Sequence, residues 1–306
     1  MIIKSPNKVT KILEMFKKKR TFIVVMKITV LIDNRITEPK GELVSEHGFS
    51  ALIELIGIGQ NNALSPLTIL LDTGASESFA KNAALMGKDL KTVDFAVLSH
   101  GHTDHTGGLS TLLETSAAPI YLSEEIAHCK LLSLRGGKRH DIGTDNALIT
   151  QNPKRFRTIN SSQWIKENIA LIKCATETHP RPWGNTFQRI VKDGTEHSDT
   201  YAHELALAIV EPDGLVIFSP CSHSGVGNII ESAMNFCGTK PLKAFIGGFH
   251  IVESDKSESE ARYFTENIAK NYPTTQFFTG HCTCAKALAE LGENITLFST
   301  GYTIEI

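Results

Sequence analysis

Three histidines and an aspartate fall within six residues of the segment Leu98-Ser-His-Gly-His-Thr-Asp-His-Thr-Gly-Gly108. Imidazole nitrogens with a carboxylate suit Zn, Mn or Fe, and such ions keep positions open for water. In a loop, His100 and His102 can converge on one ion. Asp104 and His105 then face the other way and can serve a second. Asp104 is also the candidate catalytic group, placed to orient a nucleophile or shuttle its proton.

One loop cannot fill two metal shells, so further ligands are expected at later strand ends. Cys221 and His223 stand in Ser219-Pro-Cys-Ser-His-Ser-Gly225, His250 in Gly247-Gly-Phe-His250, and His281 in Thr279-Gly-His-Cys-Thr-Cys284. Each follows an apolar run and precedes a helical one, where α/β architectures place their sites. His223 and His281 are expected ligands. His250 and Cys221 are candidates either for ligation or for the layer behind the ligands, with Cys221 leaning to the latter. Asp72, in Leu71-Asp-Thr-Gly74, is a candidate to hold a ligating imidazole by its second N–H.

The elements that must position these groups are legible from Lys27 onward. Lys27 to Ile32, Phe49 to Ile56 and Leu67 to Leu71 read as strands, Glu77 to Met86 as a helix with Ser76 before it. Asp94 to Leu98 reads as a buried strand, Thr106 to Leu113 as a helix, and Ile120 to Leu122 as a strand. Residues 135–162 are polar and without period, and are expected to be an irregular insertion or a loop over the substrate. Strands then follow at 170–173, 204–210, 215–219, 243–246 and 276–278. Helices are expected at 226–236, 258–271 and 285–291. Two similar halves, rich in hairpins and closing on βα units, predict two sheets packed face to face with helices outside.

Composition narrows the function classes. The formal net charge is −2, with 21% charged and 41% hydrophobic residues. That gives no bulk attraction to nucleic acid. Six cysteines without framework spacing predict a reducing compartment, the cytoplasm. No apolar run approaches the roughly 20 residues of a membrane span. Residues 1–25 carry seven basic side chains against Glu14 and are expected to be an extension outside the domain, with Met26 as an alternative start. The rest, 26–306, is expected to be one domain.

The His-x-His-x-Asp-His loop resembles the metallo-β-lactamase superfamily. Blocks at Thr29–Asn34, Glu46–Ser50, Leu71–Gly74, Leu98–His102, Cys221–Gly225, Gly247–His250 and His281–Thr283 are similar to one branch, which holds dihydropterin-aminobenzene phosphate synthases and metal-dependent hydrolases. The resemblance implies a four-layer αββα sandwich with one or two divalent ions, zinc first and Mn or Fe next, at one edge. It implies that His223 completes the first ion's shell and His281 the second's. Many relatives bridge the ions with an aspartate near the place of Cys221.

Hydrolysis of a small molecule is the expected reaction, on a phosphate ester, pyrophosphate or cyclic ester or amide, by metal-activated water. Transfer of a pterin-methyl group from diphosphate to an arylamine is the alternative that the resemblance implies. A non-catalytic metal- and ligand-binding protein is the third. Arg181 and His47 are candidate substrate-binding residues, and Trp183, Phe187 and Phe249 could wall a flat ring.

Overall fold

The computed structural model describes residues 22–36, 41–58, 64–238, 241–292 and 295–306. Most of the basic extension, 1–21, lies outside them. The first strand begins at Phe22 rather than Lys27, because Phe22–Ile32 pairs along its length with Ser50–Ile58.

Alternation along these strands builds the layers. Met26, Ile28 and Val30 face the core shared with the second sheet, as do Ala51, Ile53, Leu55, Ile69 and Leu71. Leu31, Leu52 and Leu70 point the opposite way, onto a second core under the outer helices. That is the period-2 consequence of a pleated strand with both faces covered. The first sheet runs in the order Thr303–Glu305, Phe22–Ile32, Ser50–Ile58, Leu64–Leu71, Phe95–Val97, Ile120–Ser123, Phe156–Ile159. It is antiparallel up to Leu64–Leu71 and parallel beyond it.

The second sheet repeats this plan. Gln163–Lys166, Ile169–Ile172, Ala206–Val210 and Leu215–Phe218 are antiparallel, and Leu242–Ile246, Gln276–Thr279 and Ile295–Leu297 continue in parallel. Helices Val226–Cys237 and Ser257–Asn267 bury Ile229, Ile230, Ala233, Ala261 and Phe264 on its outer face. Helix Ser78–Leu85 and the short Leu109–Thr115 cover the first sheet through Phe79, Ala83, Leu109 and Leu112. The result is the expected αββα sandwich.

Two features differ from the sequence expectation. Residues 135–162 are not one irregular loop: they carry helix Asn146–Gln151 and strand Phe156–Ile159, which extends the first sheet. Phe156 and Ile159 are buried there while Arg157 and Thr158 are exposed. So short an alternation gives no clear period. A four-stranded sheet, in the order Thr195–Ser198, Gln188–Lys192, Lys130–Ser133 and His140–Asp141, is also absent from the sequence expectation. Its strands are short; Thr195–Ser198 and His140–Asp141 are polar and exposed throughout, and the inner two bury only Leu131, Leu132 and Ile190.

Candidate metal centre

Both sheets deliver their parallel strands to the same edge. Leu71 leads to Asp72, Val97 to the His100–His105 loop, Phe218 to Cys221 and His223, Ile246 to His250, and Thr279 to His281. The chain must turn sharply at these exits. Asp72, Tyr201, Ser222, His250 and His281 all adopt positive φ, between 39° and 58°. Non-glycine residues rarely do so, and clusters of them accompany functional sites. Gly107 and Gly108 are needed for a steric reason: a Cβ on Gly107 would lie 2.2 Å from the Ala75 carbonyl oxygen, and one on Gly108 2.5 Å from that of Thr73.

Six of the expected donors form two trios. In the first, His100 Nε2 lies 3.0 Å from His102 Nδ1 and 3.2 Å from His223 Nε2. All three nitrogens lie within 4.8 Å of one another. In the second, His105 Nε2 lies 3.0 Å from His281 Nε2, and Asp104 Oδ2 lies 3.4 Å from His281 and 3.7 Å from His105. Cys221 lies between them, its sulfur within 4.8 Å of donors on His100 and His105 and likewise of donors on His223 and His281.

Tautomers can be assigned from the partners behind the rings. Asp72 Oδ2 accepts from His105 Nδ1 at 2.7 Å, so His105 turns a lone pair forward at Nε2. Asn34 Oδ1 accepts the Gly48 N–H and, at 2.9 Å, His281 Nδ1–H, so His281 Nε2 is the ring nitrogen turned to His105. Ser99 Oγ donates to Asp72 and therefore accepts from His100 Nδ1. Asn185 gives its amide N–H to the His223 carbonyl and takes His223 Nδ1–H on Oδ1 at 3.1 Å. Lone pairs of His100 and His223 thus face each other, and His281, once Nε2 is deprotonated, would turn a lone pair to that of His105 in the same way. Such pairs repel unless a cation lies between them, and each is backed as metal-bound imidazoles are. The donor set fits divalent ions.

The two trios differ in charge. Burial, reinforced by the neighbouring imidazoles, holds His100 and His223 well below the usual histidine range. Burial brings His102 down to about 3. The second trio carries the carboxylate. Burial alone would raise Asp104, but His105 and His281 outweigh it and hold the group well below its ordinary value. For His281 burial opposes the charge, yet Cys282 and Asp104 push it up to about 9.

Other expected residues separate into those that reach the site and those that do not. His47 reaches it: its ring stands at the mouth with Nε2 3.4 Å from Asp104 Oδ2 and Nδ1 3.1 Å from the Asn34 amide. His250 is buried beside Cys221, Nδ1 to Sγ 3.3 Å. Arg181 does not reach it. Its guanidinium is taken by the Thr200 carbonyl and Glu177, and it lines a neighbouring cavity instead. Phe249 is buried and Trp183 faces that second cavity, which leaves Phe187 on the cleft. The cleft above the trios has a volume of about 330 Å³ and is flanked by Arg35 and Arg135. Arg135 lies 5.9 Å over the Phe187 ring and makes no ion pair among the described residues. Asn34, Asn185, Cys282 and both arginines are site residues that the sequence expectation does not include. The blocks Thr29–Asn34 and His281–Thr283 hold the sequence signals for Asn34 and Cys282.

A sequence model of the metallo-beta-lactamase superfamily matches residues 67–165, the part that holds the histidine-rich loop. The curated 7,8-dihydropterin-6-methyl-4-(beta-D-ribofuranosyl)-aminobenzene-5'-phosphate synthase of Methanocaldococcus jannaschii is 27% identical over 262 residues, 79% of this chain and 83% of its own. An uncharacterized protein of the same organism is 27% identical over 273 residues, 87% of this chain and 94% of its own. The crystal structure of a metal-dependent hydrolase of the beta-lactamase superfamily superposes with a TM-score of 0.71 at 26% identity. The match covers 92% of this chain and 99% of that one.

Proposed function

We propose, from the premise that the chain belongs to the metallo-β-lactamase superfamily, that it is a hydrolase of small phosphate esters or pyrophosphates, working at a two-ion centre. The observation that carries this reading is the meeting of two donor trios beneath a cleft that Arg35 and Arg135 flank. His100, His102 and His223 would hold one ion; Asp104, His105 and His281 would hold the other. Bound there, the ions would polarise the substrate's phosphoryl oxygen and acidify water.

The chain's own groups supply the rest. Arg135, with no carboxylate partner among the described residues, is free to pair with an anionic substrate, for which a guanidinium fork is well shaped. Asp104 lines the cleft and can orient the attacking water. The Asn34 amide N–H occupies His47 Nδ1, so the His47 proton sits on Nε2, at the mouth and 3.4 Å from Asp104. There it can donate a hydrogen bond to the Asp104 carboxylate or to an anionic substrate.

A second reading has its own support in the M. jannaschii relative, whose name describes joining a dihydropterin to an aminobenzene riboside phosphate. In that case the cleft would hold a leaving diphosphate and admit an amine. One assay separates the two. Metal-reconstituted protein is offered small phosphoesters, pyrophosphates and lactones, with and without an arylamine. Phosphate release without amine is the expected result. Release that requires the amine would establish transfer, and turnover of lactones alone would overturn the phosphate assignment.

A further inference from the structure

The second trio has a sulfur pair beside it that neither the proposed chemistry nor the ligand set uses. Cys221 Sγ and Cys282 Sγ lie 3.3 Å apart, and both line the cleft. They come from different strand exits, 61 residues apart in sequence. Packing holds them together. The His250 backbone N–H donates to Cys282 Sγ at 3.2 Å, and Cys282 Sγ contacts the Cys221 carbonyl oxygen at 3.4 Å. Gly248 is required for this approach, because a Cβ there would lie 2.4 Å from Cys282 Sγ. All six cysteines are free thiols. Cys282 is the less buried of the pair, so a small oxidant entering the cleft meets it first.

We propose that Cys221 and Cys282 form an oxidisable dithiol in the cleft floor, closed to a disulfide by a hydroperoxide. The peroxide oxygen transfers to Cys282, giving a sulfenic acid and releasing water or an alcohol. Cys221 sulfur then attacks Cys282 sulfur. The S–O bond breaks, and the departing hydroxide takes the Cys221 thiol proton as a second water. Two electrons leave the two thiols and reduce one peroxide. A disulfide bond is about 2.05 Å long, so the sulfurs need to approach by little more than an ångström. Closure withdraws Cys221 from its position between the two trios. The consequence for metal retention rests on the metal-centre reading above; the disulfide itself does not.

The test treats the full-length purified protein with hydrogen peroxide and counts thiols after denaturation. Six are expected to fall to four, with a mass loss of about two hydrogens and a cross-linked peptide pair containing residues 221 and 282, reversed by dithiothreitol. Cys282→Ser is expected to form no internal disulfide and to stop at a sulfenic acid or an unmodified thiol. Six surviving thiols would overturn the proposal. So would irreversible oxidation to sulfinic acid, or a link joining Cys282 to Cys284. Metal content followed in the same samples separates the two readings. A disulfide that forms without metal loss leaves the dithiol intact as a proposal and removes only its effect on the centre. Protein that never held metal fails the hydrolase reading, while the thiol count still decides this one.

Discussion

The two donor trios sit side by side but are built differently. His100, His102 and His223 bring three imidazoles whose protonated forms burial disfavours, so this position is neutral without an ion. Asp104, His105 and His281 bring a carboxylate and an imidazole raised to about 9, so this position is already an ion pair before any metal arrives. They also draw on different supports: Asn185 behind His223 and Asn34 behind His281. Asp72 is shared, directly on His105 and through Ser99 on His100. The comparison teaches that the aspartate after the first parallel strand ties the two halves of the centre together. Each half also keeps an asparagine of its own.

The largest effect is expected from His100→Ala. It removes a donor that touches both of its trio partners, and activity should fall by roughly a thousandfold, about 4 kcal/mol of barrier. Asp72→Asn comes next. Loss of the shared support should weaken metal binding about 10- to 100-fold at both positions, read by competitive chelation. Asn34→Ala and Asn185→Ala should each weaken one position only, and by less, because a neutral amide polarises an imidazole less than a carboxylate does. If both asparagine variants affected both positions equally, the trios would not be separable. Arg135→Ala should raise KM about tenfold with kcat nearly unchanged, the loss of one charge-assisted contact.

The smallest effect distinguishes the trios by pH in the metal-free protein. His102 is depressed from 6.5 to about 3, so its contribution to stability is present above pH 6.5 and is lost as pH falls from there. His281 is raised from 6.5 to about 9, so its contribution is present below pH 6.5 and is lost as pH climbs through 9. Tm measured across this range should decline on both sides. His281→Ala should flatten the alkaline side alone, and an unchanged alkaline slope in that variant would remove the charge distinction.

The legible parts of this molecule were those written locally. Four donors lie in a hexapeptide after a buried strand, and the βα grammar around Asp72, His223 and His281 recurs at each exit. Expected strand and helix positions agree closely wherever apolar runs are long, as at Leu215–Phe218 and Val226–Cys237. The four-stranded sheet carrying His140 and Thr195 was illegible because its outer strands are fully exposed and its inner ones, which bury only Leu131, Leu132 and Ile190, are too short to show an alternation. Asn34, Asn185 and Cys282 were illegible for another reason. Their role depends on which imidazole they face across the fold, and no spacing in the chain records that. Arg181 shows the converse: a plausible charge in the right half of the sequence that Glu177 and Thr200 take away from the cleft.

The most direct test of the two-ion centre is metal stoichiometry by plasma mass spectrometry on wild type, His100→Ala and His281→Ala, each reconstituted with zinc and freed of excess. The account predicts two equivalents in wild type and one in each variant, lost from a different trio. Wild-type protein that retains no zinc, or variants that both keep two equivalents, would contradict it.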